Sequence, residues 1–302
     1  MSAAELNKTP QVNLEYSPVS SWVNARVVSK EILRNLFGLI SAKRVRGRDQ
    51  VSADYDQRAW KDLLEEKRWL QCDSVREYVV PPDATLRIAK IENRLVHIRS
   101  NDYYAYRLRS LQAVLDKYAV GSDELVELGC GWGSNLFSAH LLGRWERLSG
   151  FDISQNGISA ANAAAQHFGL NHIQCRRLDL TDSADPNWSL LRGKCVFTYY
   201  CLEQLKYGTQ QIIDRLLRAG VRRVIHIEPT TELLKLFSPL DVLNYLYMRR
   251  MDYQDSLVKT LGEYKEKSQV IILDQRRLYY APGPRNDGVL VCWEPATERS
   301  KH

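Results

Sequence analysis

Three glycines at alternate positions, Gly129, Gly131 and Gly133, join a short apolar run to the start of a helix. This segment, ELVELGCGWGSNLF from Glu124 to Phe137, constrains the chain more than any other. Leu125, Val126 and Leu128 suit a strand covered on both faces, and hence the centre of a parallel sheet. Glu127 interrupts the run, and an acid buried there is costly unless a cationic or hydrogen-bonding group meets it. Each glycine lets backbone pass closer to a ligand than a Cβ permits, so a ligand is expected over the turn.

The residues narrow the choice of ligand. A dinucleotide fingerprint, GxGxxG, needs Gly or Ala at its last position to pack helix on strand. Counting from Gly129 or Gly131 puts Ser134 or Leu136 there. No Gly-Lys-Ser/Thr follows, which excludes a phosphate-cradling P-loop. The segment resembles the ExGxGxG signature of the class I methyltransferases that use S-adenosylmethionine. That resemblance implies an α/β fold with a Rossmann-like, mostly parallel sheet of seven strands and a closing antiparallel hairpin. It also implies a cofactor with a sulfonium, an ammonium and a carboxylate, to which the acid Glu127 is better suited than to a pyrophosphate.

Downstream segments agree with this reading. Arg147 to Ser154 reads as a second strand ending in Asp152, 19 residues after Gly133, where a carboxylate can take both ribose hydroxyls. An alanine-rich helix, Asn156 to Phe168, stops at Gly169. His172 to Leu180, Lys194 to Leu205 and Val221 to Pro229 supply three more strands, and Gln269 to Tyr280 with Gly288 to Trp293 supplies the hairpin. The resemblance covers Tyr103 to Pro295, about two-thirds of the chain. By resemblance, the cofactor's methionine end falls to Glu127, Gly129, Cys130, Gly131, Gly133 and Asn135. Its ribose and adenine fall to Asp152, Ile153, Asp179 and Leu180, and its methyl to Tyr199.

Asn101 to Tyr118 reads as one helix leading into the glycine-turn strand, with Tyr103, Tyr104, Tyr106 and Arg107 at its start. A guanidinium there can grip the cofactor carboxylate while aromatic faces attract the sulfonium, as in related enzymes; the alternative is an aromatic face packed on the core. Residues 1–100 are expected to form an α+β extension to the methyltransferase domain, 101–302. Helices are expected at Ser29 to Ile40 and Arg58 to Trp69, and strands at Arg76 to Val80, Thr85 to Ile91 and Leu95 to Ile98, the last two joined across Glu92-Asn93. Such a module is a cap, a dimerisation arm or a peripheral extension. The long insertion Thr231 to Lys267 reads as two or three helices over the carboxyl ends of the strands, as a substrate lid or a dimer interface.

Charge enters where partners are considered. A net charge of +6 over 302 residues is a mild excess, and the densest basic run, Lys43 to Arg48, is followed by Asp49, Asp54 and Asp56. Nucleic acid is therefore not the expected partner. No apolar stretch approaches a membrane span, and the start MSAAELNKTP lacks signal-peptide order, so a cytoplasmic location without membrane partners is expected. Six cysteines form no CxxC pair, and no metal is expected.

A methyl acceptor that is an alcohol or protonated amine needs a base. Glu203 after the fourth strand, Glu228 at the tip of the fifth and His226 two residues before it are the candidates. Otherwise Glu203 caps or salt-bridges a helix and His226 is a core residue. The expected activity is methyl transfer from S-adenosylmethionine to oxygen or nitrogen of a small polar metabolite, such as a sugar or natural-product intermediate, with a homodimer possible. The alternatives are a nucleic-acid (RNA) methyltransferase and a non-catalytic S-adenosylmethionine-binding protein. Against base amino-group methylation, Tyr199-Tyr200-Cys201-Leu202 stands where an Asn-Pro-Pro-Tyr tetrad is expected.

Overall fold

The computed structural model describes residues 15–41, 60–205 and 208–296. The basic run 43–48 with its neighbouring acids, residues 58 and 59, and His302 lie outside the described residues. In chain order the elements begin with β1 (Tyr16–Pro18), α1 (Ser21–Ser41), α2 (Lys61–Glu66) and α3 (Val75–Val79). The hairpin β2 (Leu86–Ile91) and β3 (Arg94–Arg99) leads into the long α4 (Ser100–Tyr118). β4 (Glu124–Leu128), α5 (Ser134–His140), β5 (Arg147–Asp152), α6 (Gln155–His167) and β6 (Ile173–Arg177) follow. Next come β7 (Cys195–Tyr199), α7 (Thr209–Ala219), β8 (Arg223–Glu228), α8 (Pro239–Arg250), α9 (Leu257–Glu266), β9 (Val270–Arg277) and β10 (Val289–Pro295).

Seven strands form one sheet in the order β6-β5-β4-β7-β8-β10-β9. Neighbours from β6 to β8 run parallel, while β10 is antiparallel to both β8 and β9. This is the fold that the sequence resemblance implied. The apolar strands explain it: every residue of β4 is buried, as a central parallel strand requires. Alternation sends Leu125, Phe197, Ile225 and Ile227 to the core beneath α4, α5 and α6. Val126, Leu128, Val196 and Val224 go to the opposite core, beneath α7 and α9.

The N-terminal strands make a separate sheet in the order β1-β3-β2. Its hairpin turns at Glu92 and Asn93, both in the left-handed region with φ 49° and 62°, as a two-residue turn needs to match strand twist. Backbone bonds from Lys90 N to Ala281 O and from Ala281 N to Lys90 O, both 3.0 Å, dock this sheet on the closing-hairpin connection.

Three expectations change. The stretch 76–80, expected as a strand, is helical through Val79. Ser74 Oγ accepts from Glu77 N at 3.2 Å, the Glu77 carboxylate accepts from Asp73 N at 2.8 Å, and Pro81-Pro82 stops the helix. The helix expected through Trp69 breaks after Glu66, because Lys67 is left-handed (φ 47°) and a 3-10 turn follows. In an unbroken helix Leu63 and Trp69 would point about 120° apart; the break lets both bury in one core. Finally, the insertion 231–267, expected as two or three helices over the strand ends, divides into two helices that pack differently. Leu257, Leu261 and Tyr264, at helical spacing, bury α9 against the sheet as an ordinary layer helix, and α8 alone packs against α1. Among the described residues no helix is long and apolar enough to cross a membrane.

Candidate functional site

The glycine turn is built for close approach. Gly129, Gly131 and Gly133 have φ of 72°, 50° and 81°, a region that L side chains rarely adopt. A Cβ on Gly129 would also stand 2.1 Å from Cys201 Sγ, which ties the turn to the loop after β7. A Cβ on Gly131 would stand 3.0 Å from the ring of Trp60, a residue read from sequence only as part of a helix. Cys130 buries its thiol beside Cys175 against Gly150.

Glu127 is fully buried beneath this turn. Its Oε1 accepts from Asn135 Nδ2 at 2.6 Å, and Asn135 Oδ1 in turn accepts from Arg107 at 2.6 Å. Its Oε2 receives no hydrogen bond. Burial pushes the carboxyl well above the usual carboxylate range, against the pull of Asn135 and Arg107. A buried acid with one oxygen unanswered is a site for a cationic or donor group.

Aromatic rings surround the guanidinium end of this chain. Arg107 lies 4.5 Å over the ring of Tyr199, whose hydroxyl is 3.4 Å from that of Tyr280. Tyr106 meets Tyr280 edge-on at 5.7 Å, and Tyr103 is buried beside them under Arg87. Tyr200 has φ 55°, in the left-handed region, and donates to Asn286 O at 2.7 Å. Sequence reasoning named Tyr200 only as part of the loop after the fourth strand, and Tyr280 only as a strand end. The pair Tyr279-Tyr280 at the end of an expected strand was the available signal for the latter.

On the neighbouring edge, Asp152 Oδ2 accepts from Gly131 N and Oδ1 from Ser154 N, both at 2.8 Å. Ile153, next after β5, is 41% exposed. Asp179, two residues beyond β6, accepts from Thr181 N and Oγ1 at 2.9 and 2.7 Å. Leu180 is buried, and its carbonyl accepts from Arg215.

The three candidate bases lie on the other face of the sheet. His226 and Glu228 alternate with Ile225 and Ile227 and so face α7 and α9, away from Glu127. Glu228 is fully buried and accepts from Cys201 N at 3.0 and 3.1 Å and from Leu202 N at 3.0 Å. Glu203 is buried beside it, and burial together with the Glu228 charge holds its carboxyl well above the usual range. Burial raises the Glu228 carboxyl as well. The groups from both faces approach each other where residues 199–203 cross the end of the sheet. Among the described residues no group of three or more His, Cys, Asp or Glu side chains is arranged to hold a metal ion.

His226 Nδ1 is 3.0 Å from Thr198 Oγ1, while Nε2 has no partner. Burial lowers its pKa to about 3. A depressed histidine contributes stability that is present above its unfolded value and lost as pH falls. Between an unfolded pKa of about 6.5 and the folded value, His226 should cost about 1.4 kcal/mol per pH unit. In urea titrations below pH 6.5 the parent should lose stability more steeply than His226→Gln by about that amount; equal slopes in the two proteins would refute the assignment.

Comparison with protein-family profiles gives no match, and neither does comparison with curated proteins. Solved structures do match. The (4+2)-cyclase SpnF aligns at 13% identity and TM-score 0.51, over 79% of this chain and 96% of that chain. Geranyl diphosphate C-methyltransferase from Streptomyces coelicolor A3(2) aligns at 11% identity and TM-score 0.47, over 63% and 80%. The methyltransferase domain of bacterial CtHen1 aligns at 16% identity and TM-score 0.46, over 63% and 97%. At these identities the likeness is one of fold.

Proposed function

We propose that this chain is a class I methyltransferase that moves a methyl group from S-adenosylmethionine to an oxygen or nitrogen of a small polar metabolite, such as a sugar or natural-product intermediate. The observation that carries the reading is the buried Glu127 carboxyl, with one oxygen unanswered beneath a turn made for close backbone approach. The residues fit the cofactor. Glu127 and Asn135 would hold its ammonium, Arg107 its carboxylate, and Tyr103, Tyr106 and Tyr199 the sulfonium. Asp152 would take the ribose hydroxyls, with Ile153, Asp179 and Leu180 on the adenine.

When bound, S-adenosylmethionine supplies an electrophilic methyl carbon: the acceptor's lone pair forms the new bond as the carbon–sulfur bond breaks and the thioether leaves. The chain's own work is to hold acceptor and donor in line and to remove the acceptor's proton. Glu203 and Glu228 are proposed for that proton, with His226 secondary. A mild net charge of +6 favours a small acceptor over nucleic acid.

Since a protein named as a cyclase carries this fold, binding and turnover are separate questions. Calorimetry should give micromolar-range binding of S-adenosylmethionine and of its demethylated product. Asp152→Ala should weaken both by about ten- to a hundredfold, the worth of a charge-assisted contact. No binding to the unmutated chain would end the proposal.

A further inference from the structure

Among the described residues, one face of α1 carries exposed apolar side chains. The inward face is complete: Val28 and Asn35 are buried, and Val23, Val27 and Ile32 pack with Leu240 of α8. On the other side, at helical spacing, stand Leu33, Leu36 and Ile40, with Trp22 toward the start of the helix. Ile40 is 83% exposed and Trp22 68%. Leu236 and Phe237, the latter 89% exposed, lie three to four residues before Leu240, on the turn that brings α8 against α1. Exposed apolar side chains grouped along one helix face mark an interaction site.

The charges around it select the partner. Arg26, which lies 5.3 Å over the Trp22 ring, is exposed, as are Lys30, Arg34 and Lys235. The one acid of α1, Glu31, is committed to Arg34 and Arg285. A second copy laid face to face would therefore oppose cations with no exposed acid from α1 to answer them. An apolar strip with a tryptophan at one end and a cationic rim complements anionic lipid headgroups over acyl chains. We infer that α1 and the turn at 236–237 dock this protein on an anionic membrane surface, with α1 lying in the plane of the interface. This departs from the expectation of no membrane partner, which rested on the lack of an apolar span and of signal-peptide order. This inference stands apart from the methyl-transfer reading.

Co-sedimentation of the full chain with vesicles of phosphatidylglycerol and phosphatidylcholine, against phosphatidylcholine alone, tests it. The chain should bind the anionic vesicles preferentially and release at high salt. Ile40→Ser should weaken partition measurably, and the triple change Leu33→Ser, Ile40→Ser, Phe237→Ser by about tenfold or more, with thermal unfolding unchanged. Absence of binding to anionic vesicles would overturn the inference in favour of a protein partner. Equal partition of parent and variants would overturn it too, as would light scattering that shows a dimer which the triple change dissolves, since the face then belongs to a second copy.

Discussion

Asp287→Ala is expected to destabilise the folded chain by about 3–5 kcal/mol, the cost of leaving buried charge without its partner. Asp287 Oδ1 is 2.6 Å from Lys90 Nζ, and its Oδ2 is 2.8 Å from Arg277. Arg277 also grips Asp241 through two bonds of 2.8 Å. All four side chains are at most 5% exposed. Burial works against the Asp287 charge, yet Lys90 and Arg277 hold its carboxyl below the usual range. The contribution is therefore present above the unfolded value and lost as pH falls through the lowered one. The network joins β2, α8, β9 and the connection before β10, so its loss loosens the N-terminal sheet from the closing hairpin. Replacing both members, Lys90→Met with Asp287→Leu, leaves Arg277 and Asp241 as a balanced pair and should recover most of the stability. Urea unfolding of the two singles and the double measures this. A single-variant cost below about 1 kcal/mol would show that water reaches these groups.

Such a network was illegible beforehand. Lys90, Asp241, Arg277 and Asp287 are scattered through the sequence, and nothing local marks any of them as buried or paired. What was legible rested on short-range rules: apolar runs ending in Glu127 and Asp152, the Glu92-Asn93 turn, the hairpin around its Pro-Gly-Pro stretch. The segment VREYV misled because Val, Tyr and Val favour strands, while the deciding signal was the Ser74/Glu77 cap. Likewise the residues of the glycine turn could be named from spacing, but Trp60, Tyr200 and Tyr280 reach the site only through tertiary packing. The alternation of β8 placed His226 and Glu228 on one face. Only the structure showed that this is the face opposite Glu127.

Glu203→Gln should lower turnover on the true acceptor by about a hundredfold or more, the usual worth of a positioned base, while cofactor affinity stays near that of the parent. The structure explains why the two acids should differ. Glu228 spends both oxygens on Cys201 N and Leu202 N, so it holds the loop that carries Tyr199 and Tyr200. An amide at that position turns a donor toward backbone N–H groups, and Glu228→Gln should lower stability along with turnover. Glu203 has fewer obligations: Oε1 accepts from Gln204 at 3.2 Å, and among the described residues Oε2 receives no bond. Burial and Glu228 raise its pKa, so as a base it works in its deprotonated form, and turnover should rise with pH through that raised value. Glu203→Gln should abolish this limb of the pH–rate profile, which a purely structural role would leave in place. If Glu203→Gln kept the parent's profile and turnover, positioning alone would have to account for the transfer, and the proton would leave the acceptor to water.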